Sequence, residues 1–300
     1  MGEGGGTHQP HIFLFPRTGP DTIPEPTRAR WTRETMPFTM KTFPLSFVLL
    51  AIGWSALVTS VAAENPATAA ELAARLNADR LDGTAYVRLR LEVNGGGAIQ
   101  IQTKERHTQA GSDLVYQILF PKERKGESVL LRKPSGQAAR GTLFVPPDSV
   151  KSLSAAQLKE GLFGSDLTYE DLIENFFGWS QQTLVGTEDI GRVNCQILES
   201  KPGSSERSSY ASVKSWIDPK RRVPLRVEKY NAAGQVVVRM ETTRVEKDDL
   251  DRHLPASLSI TRAGSSGSGT VMEGSRIKHG VTLTDADFTP EGLKVLTTPK

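Results

Sequence analysis

Gly161-Leu-Phe-Gly-Ser-Asp-Leu-Thr-Tyr-Glu-Asp-Leu172 sets small, acidic and aromatic residues in the densest ordered pattern of the chain. Thr168 and Asp171 form the T-x-x-D version of a capping box. The hydroxyl accepts an orphan amide of a helix's first turn, and the carboxylate reaches back to the cap. Leu172, Ile173, Phe176 and Phe177 supply the apolar stripe of one short helix, which Gly178 ends. Gly161 and Gly164, on either side of Phe163, let the backbone turn sharply and carry an aromatic ring onto a surface or into a cleft.

Away from this stretch the hydrophobic period is two. Ala85, Val87, Leu89, Leu91 and Val93 face one way, with Arg88, Arg90 and Glu92 on the other. Asn94-Gly-Gly-Gly97 turns the chain into 98–106, where Ile99 and Ile101 alternate with polar residues. Strands at 114–120, 128–132 and 141–145 follow. Pro146-Pro147 stops the last of them, and the link to Thr168 is the least strand-like part of residues 64–300. Beyond the short helix the pattern resumes at 180–185, 193–199, 210–217, 223–230, 236–244, 257–262 and 270–278. Asn231-Ala-Ala-Gly234 is a hairpin loop and Gly264-Ser-Ser-Gly-Ser-Gly269 a flexible one. Ahead of the strands, Asn65-Pro66 caps a helix whose Ala69, Leu72, Ala73 and Leu76 share one narrow face. Roughly ten antiparallel strands with two small helices predict a mainly β (α+β) fold, one large curved sheet with helices on one side. Periodicity does not distinguish an apolar cavity under those helices from a filled core.

Four segments carry a family resemblance. Phe163-Gly-Ser-Asp-Leu-Thr-Tyr-Glu-Asp-Leu172 resembles the signature of LolA-like, outer-membrane lipoprotein-sorting proteins. Gly191-Arg-Val-Asn-Cys-Gln-Ile-Leu-Glu-Ser-Lys-Pro202 is similar to that family's G-x-x-C-Y-V strand. Trp216-Ile-Asp-Pro219 with Val223-Pro-Leu-Arg-Val-Glu-Lys-Tyr230 resembles its W-x-D…P hairpin, and Phe288-Thr-Pro290 its closing F-T-P. The matches keep their order from about residue 80 onward. The resemblance implies a half-open barrel with a few helices as a lid over an apolar cavity.

Residues 1–39, with their Gly and Pro content, read as a non-native or disordered extension. Met40-Lys41, the apolar run from Phe43 to Val61 and the ending Val61-Ala-Ala63 have the layout of a secretory signal peptide cleaved near Ala63. A short membrane anchor is the rival, and Pro44 and the small-residue ending favour cleavage. Residues 64–300 are expected to form a single domain. The first 63 residues hold 5 of the 37 basic and 4 of the 34 acidic residues, so the remainder carries +2. That balance argues against nucleic acid and against strong attraction to anionic lipid surfaces. The single cysteine, Cys195, alternates with Val193 and Ile197 and is expected as a small buried hydrophobe.

Catalytic patterns are missing. Gly264–Gly269 lacks the strand-elbow-helix context of a nucleophile. His107, His253 and His279 are widely spaced among polar residues, expected to be solvated rather than ligands or bases. No metal motif or phosphate loop is present, so neither cofactor nor metal is expected. Asp166, Glu170 and Asp171 could serve as an acid/base pair, but capping and loop hydrogen bonds account for them. A binding protein is therefore expected rather than an enzyme.

The resemblance implies a monomeric periplasmic carrier. It would take the acyl chains of lipoproteins, or lipid, from an inner-membrane transporter and hand them to an outer-membrane acceptor. Shielding those chains matters because each exposed CH₂ costs about 0.8 kcal/mol. Phe163, Leu167, Tyr169, Leu172, Phe176 and Phe177 are the candidates for the lid or cavity rim. The alternative is a periplasmic sensor of the RseB type, binding lipid or protein without transport.

Overall fold

Antiparallel pairing runs from Thr84 to His279 and gathers every described strand into one sheet. The computed structural model describes residues 68–299, apart from 81, 82, 94, 95, 266, 268 and 276. The expected extension, the signal segment 40–63 and the Asn65-Pro66 cap lie outside the described residues. The strands are β1 (Thr84–Val93), β2 (Ala98–Thr108), β3 (Gly111–Phe120), β4 (Ser128–Pro134), β5 (Arg140–Val145), β6 (Ser149–Leu153), β7 (Gln181–Ile190) and β8 (Val193–Lys201). They continue with β9 (Ser212–Asp218), β10 (Val223–Tyr230), β11 (Val236–Lys247), β12 (His253–Arg262), β13 (Thr270–Gly274) and β14 (Lys278–His279). The spatial order is β6-β5-β4-β3-β2-β1-β13-β12-β11-β10-β9-β8-β7, with β14 beside β1. This is an unclosed, curved sheet, a half-open barrel whose ends are β6 and β7.

Two strand expectations need correction. The link after Pro146-Pro147 contains β6, which pairs with β5 from Val145↔Ser149 to Gly141↔Leu153. The prolines make the hairpin turn rather than ending the sheet. The strand expected over 270–278 divides. β13 pairs with the Leu89–Val93 half of β1, and β14 with Ala85 and Tyr86. The interruption leaves Ile277 free to line a cavity.

Alternation assigns each strand two faces. On the inner face, register aligns Leu91 with Ile99, Ile101 with Ile118, and Leu114 with Leu131. These residues pack with Leu162, Phe163, Tyr169 and Ile173 of the lid. Farther along, α1 (Ala69–Arg80) buries Leu72, Ala73 and Leu76, the face expected from its spacing, against Phe176, Phe177, Leu198, Val213 and Ile217. Cys195 is fully buried in a separate cluster with Trp216, Val223 and Leu225.

The outer face of β2–β4 is covered by the C-terminal segment. Phe288 and Leu293, on two 3₁₀ turns (Asp285–Phe288 and Gly292–Lys294), pack on Val115, Leu130 and Phe144. Lys104, almost fully buried, reaches Asp287 Oδ1 at 2.8 Å and Thr297 Oγ1 at 2.6 Å. Gln117 donates to the carbonyls of Leu293 and Val295 at 3.1 and 3.2 Å. Polar residues on this strand face thus find partners in the side chains and backbone of this strap, as burial requires.

Candidate functional site

The lid begins as a closed loop. Gly161 bridges Thr168 in antiparallel fashion, and Leu162 N–H donates to Leu167 O at 2.7 Å. A Cβ on Gly161 would stand 1.9 Å from Ser165 O, so only glycine permits this closure. Phe163 takes the left-handed region at φ 52°, unusual for a bulky residue, and its buried ring joins the inner core. Asp166 fastens the loop to β13: its N–H donates to Thr270 Oγ1 at 2.9 Å, and that hydroxyl donates back to Asp166 Oδ2 at 2.8 Å.

The capping box forms as read. Asp171 N–H donates to Thr168 Oγ1 at 3.1 Å, and Thr168 N–H donates to Asp171 Oδ2 at 2.9 Å. The single helix expected to reach Gly178 does not form. α2 covers only Tyr169–Ile173, Glu174 is extended at φ −74° and ψ 132°, and a separate 3₁₀ turn spans Phe176–Gly178. The cause lies in buried polar groups. Extended, Glu174 places its carboxylate 3.4 Å from Lys229 Nζ and accepts the Ser208 hydroxyl. Asn175 Nδ2 donates to Asn77 Oδ1 of α1 at 2.6 Å.

Beneath α2 lies an ion cluster that pattern reading missed. Lys229 of β10 is 2.7 Å from Asp171 Oδ1, Arg262 of β12 is 2.5 Å from Asp171 Oδ2, and Tyr210 Oη donates to Asp171 Oδ1 at 2.7 Å. Burial pushes the Asp171 carboxyl up, but Lys229 and Arg262 outweigh it and hold it at about 2. Glu174 goes the other way, raised by burial despite Lys229. The cluster ties the lid helix to two strands at once.

Between lid and sheet the packing is incomplete. A cavity of about 300 Å³ opens among Leu76, Phe177, Val87, Val223, Leu254 and Ile277. A second, of about 180 Å³, lies among Leu89, Leu172, Ala256, Leu258, Met272 and Gly274. Val87, Glu105, Leu254, Pro255 and Ile277 border both, so the two are neighbours along one wall. The volumes lie near or below the lower end of the ~300–1,000 Å³ of small-molecule sites, and the predominantly apolar walls match their usual make-up.

Of the six rim candidates, Leu172 borders the smaller cavity and Phe177 the larger. Phe163 and Tyr169 sit in the core with β1–β4, and Leu167 packs on Tyr210, Val238 and Ile260. The Phe176 ring lies 4.5 Å from that of Phe177 and is faced by Lys229 at 5.7 Å. The inner-face residues of β12 and β13, from Leu254 to Leu258 and Met272 to Gly274, were not among the candidates. Their alternation was the available signal.

The histidines depart from expectation. Only His253 is exposed, and all three line the larger cavity, brought together from β2, β12 and β14. His279 Nδ1 is 2.5 Å from Asp249 Oδ1, and Arg252 Nη2 donates to His279 Nε2 at 2.9 Å. Asp248, Asp249 and His279 stand close enough together to hold a metal ion. Asp248 is already occupied, however: Oδ1 accepts Leu250 and Arg252 amides, and Oδ2 pairs with Arg252 at 2.9 Å. The Arg252 guanidinium already neutralises Asp248 and contacts His279, so the group reads as a braced turn.

A family model described as "Uncharacterized protein" matches residues 111–295. Among solved structures, the chain is similar to a DUF1329 family protein from Desulfovibrio piger, with TM-score 0.68 and 21% identity over 75% of this chain and 97% of the other. It is also similar to an outer membrane lipoprotein-sorting protein domain from Vibrio parahaemolyticus, with TM-score 0.66 and 18% identity over 76% and 98%. A LolA superfamily protein from Nitrosomonas europaea aligns with TM-score 0.58 and 20% identity over 75% and 99%. At these identities the likeness concerns the fold. No curated protein matches the sequence.

Proposed function

We propose that this chain, a member of the family whose model matches residues 111–295 and LolA-like in fold, is a periplasmic carrier. It shelters the acyl chains of lipoproteins, or of lipid, beneath the lid and helps deliver them to the outer membrane. The observation that carries this reading is the apolar space left between a 14-stranded sheet and a small, polar-anchored lid. A filled core would gain packing energy there. A carrier needs the opposite, walls that close on a chain and part again.

The acids near the lid support binding rather than catalysis. Asp166 is spent on Thr270, Asp171 on the cap, Lys229 and Arg262, and Glu170 on the Ser209 amide. No helix among the described residues is long and apolar enough to cross a membrane. Periplasmic residence and cleavage near Ala63 belong to the same proposal, as do the transporter and acceptor that would flank the carrier.

Native mass spectrometry of the protein purified from its own cell envelope, followed by lipid extraction, tests the reading. Co-purifying lipid or acylated peptide is expected, and its loss in Phe177→Asp would place it beneath the lid. A clean apo mass that also fails to take up added acyl ligands would refute the carrier and turn attention to a sensor.

A further inference from the structure

Three guanidiniums and three carboxylates line the larger cavity, so their formal charges balance, but two of the guanidiniums have no carboxylate partner among the described residues. Among the acids that line it, Asp248 pairs with Arg252, and Glu105 lies 3.6 Å from His107 Nε2, a contact that is ionic only with a protonated imidazole. Asp79 is exposed at the end of α1. Arg80 and Arg222 line the same cavity and form no ion pair with a carboxylate among the described residues. Arg80 Nη2 donates to Leu172 O at 3.2 Å and its guanidinium stands 6.0 Å from the Phe176 ring. Those contacts leave most of its five N–H donors uncommitted. Burial lowers its pKa, the mark of a cation desolvated without full compensation, although Glu105 and Glu174 act on it from a distance. Arg222 is held in the β9–β10 turn by a left-handed backbone, φ 55°, that non-glycine residues seldom adopt.

Behind these cations the wall changes character. The smaller cavity is lined by Leu89, Leu172, Leu258, Met272 and Ala256, and Glu105 is its one carboxylate. A ligand that satisfies both regions has an anionic end and an apolar end. The guanidinium fork matches the paired oxygens of a carboxylate or phosphate. Cavities of about 300 and 180 Å³ suit one chain better than the three of a triacylated anchor.

We propose that this site takes a single-chain anionic amphiphile, its carboxylate or phosphate held by Arg80 and Arg222 and its chain laid past Ile277 into the smaller cavity. The proposal rests on the carrier reading and names the class of its cargo.

Isothermal titration calorimetry on the full chain decides it, with palmitate, palmitoyl lysophosphatidate and uncharged monopalmitin as probes. At least one anion is expected to bind tenfold or more tighter than monopalmitin, and the better of the two identifies the head group. That advantage should shrink as salt rises and should fall most of the way to unity in Arg80→Gln and in Arg222→Gln. The second variant lies on an exposed turn and serves if the first does not fold. Equal affinity for all three probes, or an anionic preference that survives in Arg222→Gln and in any folded Arg80→Gln, overturns the proposal and leaves the carrier standing. Binding of none overturns both.

Discussion

Lys229 Nζ lies 2.7 Å from Asp171 Oδ1, and neither side chain reaches solvent. One partner is on β10 and the other is the third residue of the lid helix, so this pair joins lid to sheet. Breaking a buried pair by removing one member typically costs about 3–5 kcal/mol, because the other charge stays buried. Lys229→Met should lower stability by that order and loosen the lid before the sheet. Urea midpoints report the first effect and hydrogen exchange at residues 169–173 the second. An unchanged midpoint would mean that Arg262 alone anchors Asp171.

The same cluster predicts how stability follows pH. Asp171 is depressed from 3.8 to about 2, so its contribution is present above 3.8 and is lost as pH falls through about 2. Glu174 is raised above 4.5, so its contribution is present below 4.5 and is lost as pH rises through its folded value. Wild type should therefore lose some stability on rising from pH 4.5 towards neutrality, and Glu174→Gln should flatten that limb. Denaturation series at fixed salt would show whether the two curves diverge there.

Filling the smaller cavity should separate fold from binding. A Cβ on Gly274 would meet Leu89 Cδ2 at 3.5 Å, an ordinary contact, and the backbone there is not left-handed. Glycine within a strand costs roughly 0.5–1 kcal/mol relative to alanine. Gly274→Leu is expected to hold or raise the melting temperature while weakening acyl-ligand affinity tenfold or more. Unimpaired uptake would place the ligand elsewhere.

The outer face offers the converse. Phe288 is fully buried against Val115, Leu130 and Phe144, on the side of the sheet away from both cavities. Phe288→Ala should cost about 3–5 kcal/mol and leave ligand affinity within twofold below the new midpoint. A large loss of affinity in protein that remains folded would show that the strap acts on the site.

The sequence revealed the sheet wherever alternation was strong, as in Ala85–Val93 and Val223–Tyr230, because half-burial imposes it. β6 escaped because Ser149–Leu153 is an edge strand with little buried on either face, and Pro146-Pro147 resembles a stop. The capping box was visible because its partners are three residues apart. The broken helix was not, since Glu174 answers to a lysine 55 residues later. Nor was the meeting of His107, His253 and His279, which depends on β1 being flanked by β2 and β14 with β12 close by.

The sheet ends at β6 on one side and β7 on the other, and those edges never pair with each other. A closed barrel ties its diameter to strand number and stagger, and cannot widen without breaking hydrogen bonds. Here the bend is free of that constraint. Small changes of twist, shared among successive strand pairs, can let the hollow swell or shrink while every ladder stays intact. Capacity then becomes an elastic property of the whole wall, so one hollow can close equally well on chains of different length.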